Sequence, residues 1–204
     1  MGAANAFRGH LGLENDALLV ALVGRINRWK GQALFVKAAG VLWERGIRHV
    51  HYVVVGGIAA GQESLISDLK SQIAASVASS HIHVTPFTNN IWSVWDSCDI
   101  AVVPSTEPEP FGMVAIEAMA SGKPVVVAAH GGLLDIVEHD QSGLLFTPSD
   151  AEKFADELQK LIASSELRER LGKAGFERQQ ASFSLNAQVD ATAELIRSMT
   201  EVQS

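Results

Sequence analysis

Short, uninterrupted apolar runs alternate with helix-period segments along most of this 204-residue chain, and that alternation constrains the fold more than any other feature. Leu18 to Val23 reads LLVALV. Side chains of a strand point alternately to its two faces, so a strand apolar at every position is buried on both. Runs of the same kind cover His51 to Val55, Ile82 to Thr85, Ile100 to Pro104, Pro124 to Ala128 and Gly143 to Phe146. Between them, Gln32 to Arg45 places Leu34, Phe35, Ala38, Val41 and Leu42 close to a 3.6-residue period, and Ser64 to Ala78 does so with Leu65, Leu69, Ile73 and Val77. Strands separated by helices require right-handed crossovers between parallel neighbours. The expected fold class is α/β, a Rossmann-like doubly wound parallel six-stranded sheet in the order 3-2-1-4-5-6. After Pro148 only helices are expected: Ala151 to Ser164 with Ser149 and Asp150 as caps, Glu166 to Ala181, and Leu185 to Val202. The last carries a stripe of Val189, Ala193, Ile196 and Met199, read as a face packed on the body of the protein.

Composition narrows the partners. A formal net charge of −7 argues against nucleic acid, whose phosphates attract basic surfaces. No apolar run approaches the roughly 18 residues a membrane helix needs, so no integral membrane segment is expected. A single cysteine, Cys98, forms neither an internal disulfide nor a cysteine zinc site, and reads as a small core residue of a protein in a reducing, cytoplasmic setting.

In open parallel sheets, ligands bind outside the carboxyl ends of the strands, where loops and helix N-termini converge. The segments that follow the strands here are Gly24-Arg25 with Lys30-Gly31, Gly56-Gly57, Pro86-Phe87-Thr88, Ser105 to Gly112, and His130-Gly131-Gly132. From Ala17 to Trp43 the chain has no acidic residue but has Arg25, Arg28, Lys30 and Lys37, a cationic stretch in an acidic protein. Arg28 and Lys37 read as solvated surface. Arg25 and Lys30 suit a diphosphate, the guanidinium as a two-pronged donor and the ammonium as a point charge. Three of the six prolines fall between Pro104 and Pro110 and stiffen the segment that presents Glu109. Phe111 and Gly112 then open a helix whose first amides lack intrahelical partners, which makes its start an anion site. Glu117, one to two turns on, leans back toward that end. Carboxylates are poor phosphate ligands but good acceptors for sugar hydroxyls, with charge-assisted bonds of roughly 1.5–3 kcal/mol. The ligand so described carries hydroxyls, phosphates and hydroxyls again, as a nucleoside diphosphate sugar does.

These residues carry a family resemblance. Glu109 and Glu117, within EPFGMVAIEAMASGKPVV, resemble the Glu-x7-Glu segment of retaining glycosyltransferases of the GT-B fold, glycosyltransferase family 4 or group 1. GRINRWKG from Gly24 to Gly31, VVVGG from Val53 to Gly57, DIAVVPS from Asp99 to Ser105 and SGLLFTP from Ser142 to Pro148 continue the pattern across Leu11 to Phe183. The resemblance implies a donor site in which Gly24, Arg25 and Lys30 meet the diphosphate and Gly57 lines the pocket. It implies that Glu109 holds hydroxyls of the transferred sugar, that amides around Phe111, Gly112, Met113 and Val114 meet sugar and phosphate, and that Glu117 binds the ribose diol. Phe87 and Thr88 would lie near the base, where Thr88 stands in place of the usual glycine. It implies retaining transfer to an acceptor hydroxyl, with Arg25, Lys30 and Glu109 central, no cofactor and no metal; no Asp-x-Asp motif is present. Members of the family are about twice this length. The implied organisation is an interdomain linker remnant over 1–12, a nucleotide-sugar-binding domain over 13–183, and a C-terminal helix over 184–204 packing toward a missing N-terminal acceptor-binding domain. The chain alone is then expected to bind donor and transfer little sugar. The full enzyme would be free of membrane spans yet compatible with peripheral membrane association.

Three other readings compete. An NAD-dependent oxidoreductase would show Gly-x-Gly-x-x-Gly after the first strand, where this chain reads GRINRW. A nucleotide-sugar epimerase of the same fold would need acid and base groups that cannot be picked out. A non-catalytic nucleotide-sugar-binding module would keep the donor site alone. Trp29 and His130 are further candidates for the cleft, and Trp43, Trp92 and Trp95 are expected in the core.

Overall fold

The computed structural model describes residues 3–14 and 16–201. In chain order the elements are α1 (Ala3–His10), β1 (Leu18–Val23), α2 (Gln32–Glu44), β2 (Val50–Val55), α3 (Glu63–Ala75), β3 (Ile82–Thr85), α4 (Ile91–Ser97) and β4 (Ile100–Val103). There follow α5 (Met113–Ala120), β5 (Val125–Ala128), α6 (Leu133–Ile136), β6 (Leu144–Phe146), α7 (Ala151–Ala163), α8 (Ser165–Arg178), a π-helical turn (Gln179–Phe183) and α9 (Leu185–Glu201). Val202, where the last helix was expected to end, lies outside the described residues.

The six strands form one parallel sheet in the order β3-β2-β1-β4-β5-β6, as the alternation predicts. β1 explains why the pattern is so apolar. Val20 and Leu22 belong to a core that includes Phe35, Tyr52 and Phe154 from α2, β2 and α7. Leu19 and Ala21 belong to a second core with Trp95, Ala115 and Met119 from α4 and α5. Both faces of the strand are therefore covered, and each fully buried large side chain contributes roughly 1.5–3 kcal/mol. The first core is tied by an edge-on contact between Phe35 and Tyr52 at 5.6 Å and by stacking of Phe146 on Phe154 at 4.4 Å. Asp150 caps α7 by accepting from the Lys153 amide. Cys98 is buried, and burial pushes its thiol up to about 12, consistent with a core role.

The sheet grows outward from β1 in both directions, so the order reverses between β1 and β4. That switch point opens a crevice above their carboxyl ends, which is where an open α/β sheet holds its ligand.

Several expectations shift. Residues 3–10, within the segment expected as linker, form α1, which packs on α4; Arg8 donates to the Ser97 carbonyl at 2.9 Å and to the Ala17 carbonyl and pairs with Asp99 at 3.5 Å. Helix α3 stops at Ala75 rather than Ala78, because Ser76 turns to an extended conformation (φ −76°, ψ 140°). The α9 stripe does not pack on the body: Val189, Ile196 and Met199 are all more than half exposed.

Candidate functional site

The carboxyl edge of the sheet holds two adjoining constellations. The first is a cavity of about 650 Å³ lined by Gly24 and Arg25 after β1, Gly56 to Ile58 after β2, Phe87 to Asn89 and Ile91 after β3, and Glu117 from α5. The ends of β1 and β2, Val23 and Val55, form its floor. Among the described residues, no carboxylate pairs with the Arg25 guanidinium; only its carbonyl is engaged, accepting from the buried Gln32 amide at 3.0 Å. Phe87 is 69% exposed and leaves an apolar ring at the mouth. Glu117 is half-buried. Desolvation raises its carboxyl above the ordinary range, and the neighbouring Trp95 indole works in the opposite sense.

The second constellation lies beside it, along the loop from β4 to α5. Glu109 is only 4% exposed, and its Oε1 accepts from Lys30 Nζ and from the Ser105 hydroxyl, each at 2.6 Å. Lys30 Nζ also sits 4.4 Å from the centre of the Trp29 ring, within cation–π range. No local pattern signals that Lys30 and Glu109, 79 residues apart, form one largely buried ion pair. Asn27 shapes the loop that delivers the lysine: its side-chain oxygen accepts from the amides of Trp29 and Lys30. His130 Nε2 lies 2.8 Å from the Ser105 carbonyl, so that ring nitrogen carries the proton and braces the Glu109 loop.

Gly112 starts α5 in the left-handed region (φ 105°), where a side chain would be strained. The first bond in the helix is donated by the Ala115 amide to the Gly112 carbonyl. The amides of Met113 and Val114 precede it at the positive end of the helix. The two constellations meet at Gly24, where a Cβ would lie 3.9 Å from Lys30 Cδ.

Of the residues singled out on sequence, Gly24, Arg25, Gly57, Phe87, Thr88 and Glu117 therefore share the cavity. Lys30, Glu109, Phe111, Gly112, Met113 and Val114 form the ledge beside it and do not line the cavity itself. Asn89, Ile58 and Ile91 line the cavity and were not anticipated. Asn89 belongs to a short polar loop with no periodic signal, and the isoleucines look like ordinary core residues in sequence. Ser105 was seen only as the start of a loop; its bond to Glu109 depends on the turn between them. Among the described residues, no cluster of three or more His, Cys, Asp or Glu has a metal-holding arrangement, and no helix is long and apolar enough to cross a membrane.

Sheet order, flanking helices and edge crevice together define a Rossmann-like half of the GT-B architecture. The chain belongs to the family described as glycosyl transferases group 1, whose model matches residues 4–178. It is 34% identical over 203 residues to a D-inositol 3-phosphate glycosyltransferase of Saccharomonospora viridis, covering 96% of this chain and 46% of that protein. Among solved structures it is similar to Anabaena Alr3699/HepE in complex with UDP-glucose, with a TM-score of 0.87 and 28% identity over 96% of this chain and 52% of that one. It is also similar to the C-terminal domain of a glycosyl transferase group 1 family protein (LpcC) from Francisella tularensis, with a TM-score of 0.74 and 27% identity over 82% of this chain and 87% of that one. The chain thus spans about half the length of the curated relatives it matches and corresponds to the C-terminal domain.

Proposed function

We propose that this chain binds the nucleoside diphosphate sugar of a retaining glycosyl transfer. One observation carries the reading: Arg25 and Glu117, from opposite sides of the switch point, line a single cavity with Gly57, Phe87 and Thr88. In this reading the nucleoside enters the cavity. Its base lies along Phe87 and Thr88, and its ribose diol donates to Glu117. The diphosphate meets the Arg25 guanidinium and the amides at the start of α5, and the sugar extends over the ledge toward Glu109.

The buried ion pair gives Glu109 and Lys30 coupled roles. Lys30 holds the Glu109 carboxylate in place, ready to accept sugar hydroxyls, and supplies a positive charge beside the diphosphate. As the bond from the anomeric carbon to the diphosphate breaks, negative charge grows on the leaving phosphate. Arg25, Lys30 and the α5 amides are set in advance where that charge develops, which is the main way a site of this kind lowers the barrier. No divalent metal or cofactor is called on. The other half of the enzyme would bring the acceptor hydroxyl. The HepE complex with UDP-glucose makes UDP-sugars the first donors to try, and the D-inositol 3-phosphate in the S. viridis protein's name makes phosphorylated polyols the first acceptors to try.

Calorimetric titration with UDP, GDP and UDP-glucose tests the reading. A nucleoside diphosphate should bind, and Arg25→Ala or Glu117→Ala should each weaken it about tenfold or more. If none of these ligands binds the folded chain, or if both variants bind as tightly as the parent, the proposal fails.

A further inference from the structure

Trp95 lies in α4 and is completely buried, in the same core as Cys98, Ala115, Ile116 and Met119. Phenylalanine would serve such surroundings without a polar atom. The indole Nε1 has no partner in hydrogen-bond geometry among the described residues, and a buried N–H left unmade is costly. Glu117 stands on α5 between Ile116 and Ala118, which share the core with the indole, so its carboxylate is the neighbouring acceptor, and the indole opposes the rise that burial gives it. Helix α4 also supplies Ile91 to the cavity wall, so the indole stands behind the wall and Glu117 within it.

Resting on the donor-binding reading above, we propose that Trp95 is a positioning residue: its buried indole N–H faces the rear of the Glu117 carboxylate and completes a hydrogen bond to it when a ribose diol occupies the front. A diol that covers the carboxylate strips it of water, and a desolvated carboxylate tends to take up a proton. A protonated Glu117 would lose the acceptor strength that distinguishes a diol from a deoxyribose. A neutral, water-inaccessible donor behind the group opposes that protonation and fixes the carboxylate's orientation, and it cannot be competed away by ligand. Trp95 touches no substrate in this arrangement and acts wholly through Glu117.

The test replaces Trp95 with 3-benzothienylalanine, which keeps the bicyclic shape and lacks the N–H, with Trp95→Phe as a second variant. Calorimetry then gives the affinities of UDP and GDP and of their 2′-deoxy forms between pH 5 and pH 8. The parent should favour ribose over deoxyribose. The benzothienyl protein should lose that preference by about fivefold, and the acid limb of binding should move to higher pH. In a Glu117→Gln background the same replacement should change neither. An unchanged preference and acid limb would overturn the inference, as would a loss that persists in the Glu117→Gln background, because that would mark packing alone. A parent that binds nucleotide without ribose preference would remove the role given to Glu117 and the inference with it. A parent that binds no nucleotide would remove the donor-binding reading itself.

Discussion

At the scale of single residues, the tightest coupling is between Lys30 and Glu109. Bringing two charges out of water is expensive, and the cost is recovered only when each keeps its partner. Glu109 is 4% exposed and its Oε1 accepts from both Lys30 and Ser105. Lys30→Ala should therefore cost about 3 kcal/mol of stability by leaving that carboxylate buried without a counter-charge. Denaturant titration would measure it. The double variant Lys30→Ala with Glu109→Gln should be more stable than Lys30→Ala alone, since the stranded charge is gone. Equal stabilities for the two would mean that the pair carries no such coupling.

At the scale of elements, two contacts govern the edge strands and the site loops. Gly31 caps α2 in the left-handed region (φ 79°), and a Cβ there would meet the Pro104 carbonyl oxygen at 1.8 Å. The loop after β1 thus lies directly against the end of β4, which is what brings Lys30 to Glu109. Gly31→Ala forces backbone apart and should lower the melting temperature and weaken nucleotide binding together; a variant with parental melting and affinity would show that the loops do not need this contact. At the other end of the sheet, on β2 and β3, His51 Nδ1 lies 3.1 Å from His83 Nε2, and the His51 and His81 rings stack at 4.5 Å. Burial first, then the neighbouring histidines His81 and His83 and the Arg8 guanidinium, lowers His51 from 6.5 to about 4; burial and His81 lower His83 as well. The unfolded chain therefore takes up protons before the folded one as the pH drops. The stability these neutral rings contribute is fully present above about pH 6.5 and is lost as the pH falls toward 4. Melting temperatures recorded from pH 7.5 to pH 4.5 should decline, and His51→Gln should flatten the decline. A slope unchanged by that substitution would assign the acid sensitivity elsewhere.

At the scale of the whole molecule, the described chain supplies the six-stranded sheet and the cores on its two faces, and it spans about half the length of the relatives it matches. Phe87 leaves apolar surface at the cavity mouth and Phe111 and Met113 leave it on the ledge beside the cavity, and α9 leaves Leu185, Val189, Leu195, Ile196 and Met199 more than half exposed. Scattered exposed apolar residues need no explanation, but a helical stripe of them does. Expressed as these 204 residues, the protein should bind nucleoside diphosphate and release little transferred sugar. Transfer should rise when the remaining half of a matched relative is added in trans. Robust turnover by the chain alone, in a coupled assay for released nucleoside diphosphate, would contradict this division of labour.

The sequence by itself determined the sheet. Buried parallel strands must be apolar on both faces and the helices between them on one, so LLVALV at β1 and the 3.6-period segment that becomes α2 were legible as written, within a residue or two of their ends. Six strands with right-handed crossovers then suggested the doubly wound order, which the sheet adopts. The candidate site was legible in part for the same reason: ligand-edge loops follow directly from strand ends, and Gly24, Arg25, Gly112 and Glu117 fall there by counting. What folding alone decided is which side chains meet. The approach of Lys30 to Glu109, the bonds of Ser105 and His130 that hold the latter's loop, the indole of Trp95 behind Glu117, and the place of Asn89 in the cavity join residues from different loops and helices. Such contacts leave no periodicity in the chain, because nothing in local geometry couples them. α1 leaves little pattern in the chain because a helix this short, with Phe7 as its one large apolar residue, is stabilised by its packing on α4 rather than by its own periodicity.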